Sequence, residues 1–238
     1  MSVDPLASFP AGGVAVVVGA SGGIGSAVVR ALGLSGRFDC VLGFGRAAAP
    51  PLELGDEASI AKAADLAVGA GELRLVFDAT GVLATAEHGP ERALREITPE
   101  AMAHQFAVNA IGPALLLKHF GPRLAREGKS VFATLSARVG SIGDNRLGGW
   151  YGYRAAKAAL NQIVRSAGVE LRRSHPRACV LALHPGTVDT RLSRGFAKQG
   201  LQLRTPEAAA TRLLDVLDRA TPELSGGFFD LHGAPIPW

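Results

Sequence analysis

The sequence predicts an α/β fold, a single doubly wound Rossmann domain whose mostly parallel sheet has helices on both faces. Short, continuous aliphatic runs alternate with longer amphipathic stretches, and Gly-rich turns stand where strand ends are expected. No internal repeat or Pro/Ser-rich linker divides the chain. We therefore expect one domain over residues 1–238, with a substrate segment at about 190–205.

Five β-branched or aliphatic runs predict buried strands. Each run is bounded by Gly or turn residues, and continuous apolar runs are typical of parallel strands covered on both faces. The runs span residues 14–18, 40–44, 74–77, 130–135 and 178–183.

Five longer stretches carry apolar residues near a 3.6-residue period and predict helices. Some of them begin with Pro-Glu or Thr-Pro-Glu, which is typical of a helix start. They span residues 25–35, 57–70, 99–128, 153–173 and 205–220. In the third, the pair Gly112-Pro113 predicts a bend directly after Asn109, because proline removes a backbone donor.

The composition excludes several classes of function. The 25 basic and 21 acidic residues are spread along the chain, so the net charge of +4 predicts no nucleic-acid partner. No stretch approaches the roughly 20 apolar residues that span a bilayer, and the first residues do not resemble a secretion signal. Cys40, Cys179 and the histidines show no metal-ligand spacing. We expect a cytoplasmic protein with reduced thiols, no metal site and no membrane partner.

Three glycines, Gly19, Gly23 and Gly25, stand between the first strand and the first helix. Because glycine lacks Cβ, a pyrophosphate can approach the backbone there, and the helix start offers unpaired N–H groups and a positive dipole end. The spacing matches neither GxGxxG nor a P-loop. A tight turn without a ligand is the alternative, but three glycines in the first βα unit favour nucleotide binding.

Arg46 follows the second predicted strand, where doubly wound dinucleotide folds meet the adenosine ribose. An acid at this position selects a free 2′-hydroxyl, whereas an arginine accommodates a 2′-phosphate. We therefore expect NADP(H) to be preferred, with NAD(H) also possible. The alternative is that Arg46 is a solvated loop residue.

Tyr153 and Lys157 are four residues apart and share one helical face, whereas Tyr151 and Lys157 are six apart and do not. A neighbouring ammonium is expected to lower the pKa of the Tyr153 phenol and make it a usable acid. Ser136, at the end of a predicted strand, is a candidate second donor for the oxygen of a carbonyl during reduction. A surface Tyr-Lys pair and a turn-capping serine are the alternatives.

Six motifs in this order resemble the short-chain dehydrogenase/reductase family from Val14 onward. They are GASGGIG, DATG from Asp78, Asn109 in VNAIGP, Ser136, YRAAK from Tyr153, and PGTVDT from Pro185. The resemblance implies that Tyr153 is the proton donor and that Ser136 positions the carbonyl. It also implies that Lys157 holds the nicotinamide ribose and that Asn109 anchors a water chain to that lysine.

The resemblance further implies a set of cofactor contacts. The family often has an Asp that faces the adenine amine, and Glu53 stands at that position here. Its extra methylene can shift the contact to the backbone of Leu54. Asp78 stands where the family commonly has an amide. The implied contacts are Gly19, Ser21, Gly23, Ile24, Gly25, Arg46, Glu53, Leu54, Thr80, Gly81, Asn109, Tyr153, Lys157, Pro185, Gly186, Val188 and Thr190.

Residues 143–161 and 226–238 are similar to the subgroup of C-factor-like and sniffer-like carbonyl reductases. Asp144, Asn145, Trp150 and Tyr151 precede the predicted catalytic helix, where substrate contacts are expected; for Trp150 and Tyr151, packing under the loop is the equal alternative. Residues 191–203 are expected to cover the site, with Gly195 and Gly200 as hinges.

These observations predict an NADP-dependent oxidoreductase that reduces the carbonyl of a small aldehyde or ketone. The alternative is an NAD(P)-binding signalling or regulatory protein with incidental turnover. The expected partner is a small carbonyl or alcohol substrate. The family resemblance is compatible with a homodimer or homotetramer built on the helices after Glu100 and Tyr153. The alternative is that the apolar faces of these helices pack on the sheet alone.

Overall fold

A computed structural model describes residues 6–84, 89–193 and 203–238. Its sheet has six parallel strands in the order β2-β1-β3-β4-β5-β6. The strands are β1 (Val14–Val18), β2 (Cys40–Phe44), β3 (Leu73–Asp78), β4 (Ser130–Leu135), β5 (Ala178–His184) and β6 (Gly227–Asp230). The predicted parallel α/β architecture is confirmed.

Among the described residues, six α-helices connect and cover the strands. They are α1 (Gly23–Ser35), α2 (Glu57–Ala70), α3 (Pro99–Phe106), α4 (Gly112–Phe120), α5 (Tyr151–Leu171) and α6 (Pro206–Arg219). Side chains of Asp56, Thr98 and Thr205 accept hydrogen bonds from N–H groups in the first turns of α2, α3 and α6. These caps fix where the three helices begin.

The sheet separates two apolar layers because neighbouring strand residues point to opposite faces. In β1, Val14, Val16 and Val18 join the layer formed with α2, α4 and α5. Ala15 and Val17 of the same strand join the layer formed with α1 and α6. All five β1 side chains are fully buried, so the strand has the continuous apolar run expected of a central parallel strand.

The chain order reverses between β1 and β3. From β1 the chain first adds β2 on one side and then returns to add β3 on the other. Ligands of open α/β sheets bind outside the carboxyl ends of the strands at such a point. The segments that follow β1 through β5 therefore meet at one edge.

Where the sequence predicts a bend after Asn109, the structure has a wider, π-helical turn. A π-helical segment, Ala107–Ile111, separates α3 from α4. Pro113 has no N–H to donate to the carbonyl of Asn109, which favours the irregular turn. Asn109 therefore lies inside the distortion rather than before it.

Several element boundaries differ from the predicted ones by one or two residues, and one strand was not predicted. Helix α1 begins at Gly23, two residues before the predicted start. Helix α5 begins at Tyr151, two residues before the predicted start. Strand β6 was not predicted, because its four residues hold only Phe228 and Phe229 as apolar members, a run too short to show a period.

Candidate active site

A cleft of about 1980 Å³ opens at the carboxyl edge of the sheet. Sixteen of the predicted site residues line it: Gly19, Ser21, Gly23, Ile24, Arg46, Glu53, Leu54, Thr80, Gly81, Ser136, Tyr153, Lys157, Pro185, Gly186, Val188 and Thr190. The other two, Gly25 and Asn109, lie behind its wall. The fold thus brings the glycine turn together with Ser136, Tyr153 and Lys157 in one cleft.

The turn after β1 offers backbone donors to the cleft. Gly19 has a left-handed φ of 80°, which favours glycine. Helix α1 follows Gly22, which provides no side-chain cap. The N–H groups of its first turn are therefore available to an anion, as at other uncapped helix starts.

Gly25 has a packing role rather than a place in the cleft wall. A Cβ on Gly25 would overlap the carbonyl oxygen of Gly19, and it would lie 2.8 Å from the Gly19 carbonyl carbon. The missing side chain lets α1 pack directly against the turn. Gly25 thus supports the shape of the nucleotide loop from behind.

Two polar side chains of the site, one from the residue after β4 and one from α5, lie at the end of β4. The hydroxyl of Ser136 donates a 2.7 Å hydrogen bond to Oδ1 of Asn161, and both side chains are buried. Nζ of Lys157 donates a 2.8 Å hydrogen bond to the carbonyl oxygen of Leu135. Asn161, one helical turn beyond Lys157 on α5, was not identified from the sequence.

Tyr153 is 7% exposed and its ring packs edge-on against the ring of Trp150, with centroids 6.3 Å apart. Nζ of Lys157 lies 5.8 Å from the centroid of the Tyr153 ring. Burial raises the pKa of the Tyr153 phenol, opposite to the lowering expected from the neighbouring ammonium. That expectation is wrong, because the loss of hydration on burial determines the direction of the pKa shift.

Burial also lowers the pKa of Lys157 to about 8, while the negative charge of Asp78 acts in the opposite direction. The Asp78 side chain is fully buried. It accepts hydrogen bonds from the hydroxyl of Thr134 at 2.6 Å and from the hydroxyl and N–H of Thr80 at 2.6 and 2.9 Å. Burial raises the pKa of Asp78, and these donors lower it.

The side chain of Asn109 holds the loop segment that follows Gly81. Its side chain accepts from the N–H of Val82 at 3.1 Å and donates to the carbonyl of the same residue at 2.8 Å. A further 2.7 Å hydrogen bond joins it to Oε1 of Gln105. These bonds engage the amide with protein groups, and the water chain expected from the resemblance stays a prediction.

Glu91 is a site residue that the sequence did not reveal. It is 5% exposed, and its Oε2 accepts a 3.2 Å hydrogen bond from the N–H of Gly152, in the first turn of α5. Its carbonyl oxygen also accepts from the N–H of Trp150. No local pattern signals this contact, because the two partners are 61 residues apart in the chain.

Trp150 and Asp144 line the cleft, while Asn145 and Tyr151 lie outside its wall. Asp144 pairs with Arg138 at 3.0 Å. Oδ1 of Asn145 accepts a 3.0 Å hydrogen bond from the N–H of Gly148. Of the four expected substrate contacts, Trp150 and Asp144 are therefore accessible from the cleft.

Most of the covering segment predicted at 191–203 lies outside the described residues, including Gly195 and Gly200. Within the described ranges, no group of His, Cys, Asp and Glu side chains could hold a metal ion. Over the same part of the chain, no helix combines the length and apolarity needed to cross a bilayer.

A family model described as enoyl-(acyl carrier protein) reductase matches residues 41–218. A 1-hydroxy-2-glutathionyl-2-methyl-3-butene dehydrogenase of Rhodococcus sp. (strain AD45) is 33% identical over 233 residues, which cover 94% of this chain and 98% of that protein. The C-signal protein of Myxococcus xanthus is 37% identical over 148 residues, covering 61% of this chain and 84% of that protein.

Solved structures share the architecture over nearly the whole chain. The NADPH-bound carbonyl reductase from chicken fatty liver superposes with a TM-score of 0.82 at 27% identity, covering 97% of this chain and 100% of that one. The carbonyl reductase Sniffer of D. melanogaster gives a TM-score of 0.81 at 20% identity, covering 95% and 99%, and at that identity the likeness extends to the fold alone.

Proposed function

We propose that this chain, which belongs to the short-chain dehydrogenase/reductase family of oxidoreductases, reduces the carbonyl of a small aldehyde or ketone with NADPH. Membership rests on the family model over residues 41–218 and on the Rhodococcus relative. The observation that carries the proposed reaction is the presence of Ser136, Tyr153 and Lys157 on the wall of the cleft that also contains the glycine turn.

The residues at the end of the cleft that contains the glycine turn fit a dinucleotide with a 2′-phosphate. Arg46 is exposed on the cleft wall at the end of β2, and within the described residues its guanidinium makes no ion pair. The uncapped start of α1 suits the pyrophosphate. When bound, NADPH would supply a hydride. The chicken carbonyl reductase, similar over nearly its full length, carries this cofactor.

The side chains at the opposite end of the cleft suit the transfer of a proton from Tyr153 to the carbonyl oxygen. As the carbonyl carbon gains the hydride, the C=O π bond breaks and its electron pair remains on oxygen. The O–H bond of Tyr153 breaks and its proton goes to that oxygen, giving an alcohol and NADP⁺, and solvent then reprotonates the phenolate. Because burial raises the pKa of Tyr153, the phenol holds its proton at neutral pH until it is needed.

Ser136 and Lys157 would support this transfer. The Ser136 hydroxyl, which has one hydrogen, would turn from Asn161 to the carbonyl oxygen and stabilise its developing charge. Lys157, held against the carbonyl of Leu135, provides a positive charge near the phenolate. Both groups act at the oxygen side of the reaction.

The test is the loss of NADPH absorbance with a panel of aldehydes and ketones. Tyr153→Phe is expected to lower kcat by at least about a hundredfold, the range of a positioned proton donor, with little change in NADPH affinity. Tyr151→Phe is the matched control, because Tyr151 lies outside the cleft wall. Equal losses in the two variants would contradict the assignment of Tyr153.

A second candidate function is a signalling protein in which turnover is incidental. The match to the C-signal protein favours it, whereas the buried set of Ser136, Tyr153 and Lys157 favours catalysis. NADPH binding without turnover across the whole carbonyl panel would support the signalling function.

A further inference from the structure

Three arginines surround the turn that leads into helix α5. Arg92, Arg146 and Arg154 all line the half of the cleft that contains Ser136 and Tyr153, and we refer to them as the arginine rim. They come from two distant parts of the chain, so no single sequence motif marks the group.

The Gly148-Gly149 turn brings the arginine rim together. Nε of Arg154 donates to the carbonyl oxygen of Gly149 at 2.9 Å, and its Nη2 donates to that of Gly148 at 3.1 Å. On the other side of the turn, Cα of Arg92 lies 4.0 Å from the position that a Cβ on Gly149 would occupy. Arg146 precedes the turn by two residues, and its Nη1 donates to the carbonyl oxygen of Gly143 at 3.0 Å.

The positive charges of the arginine rim are not paired with acids in the described part of the chain. Within residues 6–84, 89–193 and 203–238, none of the three guanidinium groups pairs with a carboxylate. The neighbouring acids are engaged elsewhere: Asp144 with Arg138, Glu91 with the N–H of Gly152, and Glu96 with the backbone N–H of Arg92. The guanidinium groups of Arg146 and Arg154 donate to neutral carbonyl oxygens, so no carboxylate among the described residues neutralises the charge of the rim.

This charge lies apart from the candidate phosphate sites. Arg46 follows β2. In the arginine rim, Arg92 lies in the loop after β3, Arg146 lies between β4 and α5, and Arg154 lies in the first turn of α5. In the order β2-β1-β3-β4, the ends of β2 and β4 are three strand spacings apart, about 14 Å. An anion at the rim is therefore distinct from the adenosine phosphate, and it would belong to the substrate.

We propose that the substrate carries a carboxylate that binds at the arginine rim while its carbonyl faces Ser136 and Tyr153. This inference rests on the proposed function and names the class of substrate. The cleft wall between the arginine rim and Tyr153 suits an apolar part of the substrate. Trp150 packs against the Tyr153 ring there, and the side chain of Leu147 is exposed. The predicted substrate is a carboxylated aldehyde or ketone with an apolar middle.

The test compares 4-carboxybenzaldehyde with methyl 4-formylbenzoate, in which the carboxylate is a neutral ester. The measured quantity is the ratio of the two kcat/KM values within each variant, since general damage to the enzyme cancels in this ratio. Wild type should prefer the carboxylate. Arg92→Gln and Arg146→Gln should each lower the ratio about threefold, as expected for a partly exposed charge pair. Arg146→Glu should lower it further.

The control is Arg212→Gln, which removes an exposed arginine from α6, outside the cleft, and should leave the ratio unchanged. Added salt should also lower the wild-type ratio, because it screens exposed charges. Reduction of both compounds with a ratio that the rim variants do not change would overturn this inference and leave the proposed function standing. No NADPH-dependent reduction of either compound, or of any carbonyl in the panel, would overturn both.

Discussion

Oε2 of Glu91 accepts a hydrogen bond from the backbone N–H of Gly152 at 3.2 Å, so a side chain 61 residues away caps the first turn of α5. The helix cannot cap itself, because Trp150 at its start is a residue with a φ of 53° and no capping side chain. Tyr153 follows Gly152 directly. The position of the candidate proton donor therefore depends on a buried carboxylate from the loop after β3.

Glu91→Ala should lower both stability and turnover. Loss of a helix cap costs about 0.5–2 kcal/mol, and the freed first turn of α5 would let Tyr153 shift. Thermal unfolding and kcat with any accepted carbonyl measure the two effects. Glu91→Gln keeps an acceptor oxygen and should restore much of both. Glu127→Ala, which removes an exposed loop acid, should change neither.

Arg46→Ala should weaken NADPH binding about ten- to a hundredfold, the usual range for a lost charge-assisted hydrogen bond. NADH lacks the 2′-phosphate, so its affinity should change far less. Fluorescence titration of the two reduced cofactors measures the difference. Arg212→Ala on α6 is the control, and equal weakening of NADPH and NADH by Arg46→Ala would contradict a phosphate contact.

The rate of carbonyl reduction should fall as pH rises above about 8. The pKa of Lys157 is lowered to about 8 by burial, so this lysine loses its charge in that range. The pKa of Tyr153 is raised, so the phenol keeps its proton throughout. The falling limb of a kcat/KM profile against pH should therefore report Lys157.

Asp78→Asn should move that falling limb to lower pH. The charge of Asp78 raises the pKa of Lys157, and removing it leaves burial as the dominant influence. An asparagine keeps groups that can bond to Thr80 and Thr134. Asp215→Asn, at an exposed ion pair on α6, should leave the profile in place. A limb that Asp78→Asn does not move would show that Asp78 is already uncharged.

The sequence predicts elements whose determinants are local. Helix α2 occupies the predicted residues 57–70, because its apolar period and the adjacent Asp56 cap both lie within the segment. The family motifs likewise identify Ser136, Tyr153 and Lys157, which all line the cleft. Local pattern is sufficient for these residues because Ser136 directly follows β4, and Tyr153 and Lys157 share one face of the first two turns of α5.

Features that depend on distant contacts were not predictable in the same way. The cap from Glu91 and the Ser136–Asn161 bond join residues 61 and 25 positions apart. The pKa of Tyr153 depends on how deeply the side chain is buried, which the spacing of Tyr153 and Lys157 along a helix does not reveal. The arginine rim likewise forms only when the loop after β3 meets the turn before α5.

Gly25 and Gly33 provide a matched pair within α1. A Cβ at Gly25 would overlap the Gly19 carbonyl, whereas a Cβ at Gly33 meets no atom within 4 Å. Gly25→Ala should therefore destabilise the protein by about 1–3 kcal/mol, the usual cost of overpacking, and weaken NADPH binding by displacing the loop. Gly33→Ala should stabilise it by up to about 1 kcal/mol, because alanine favours a helix interior. Urea unfolding and NADPH titration measure both, and a harmless Gly25→Ala would show that the close packing of α1 on Gly19 is not required.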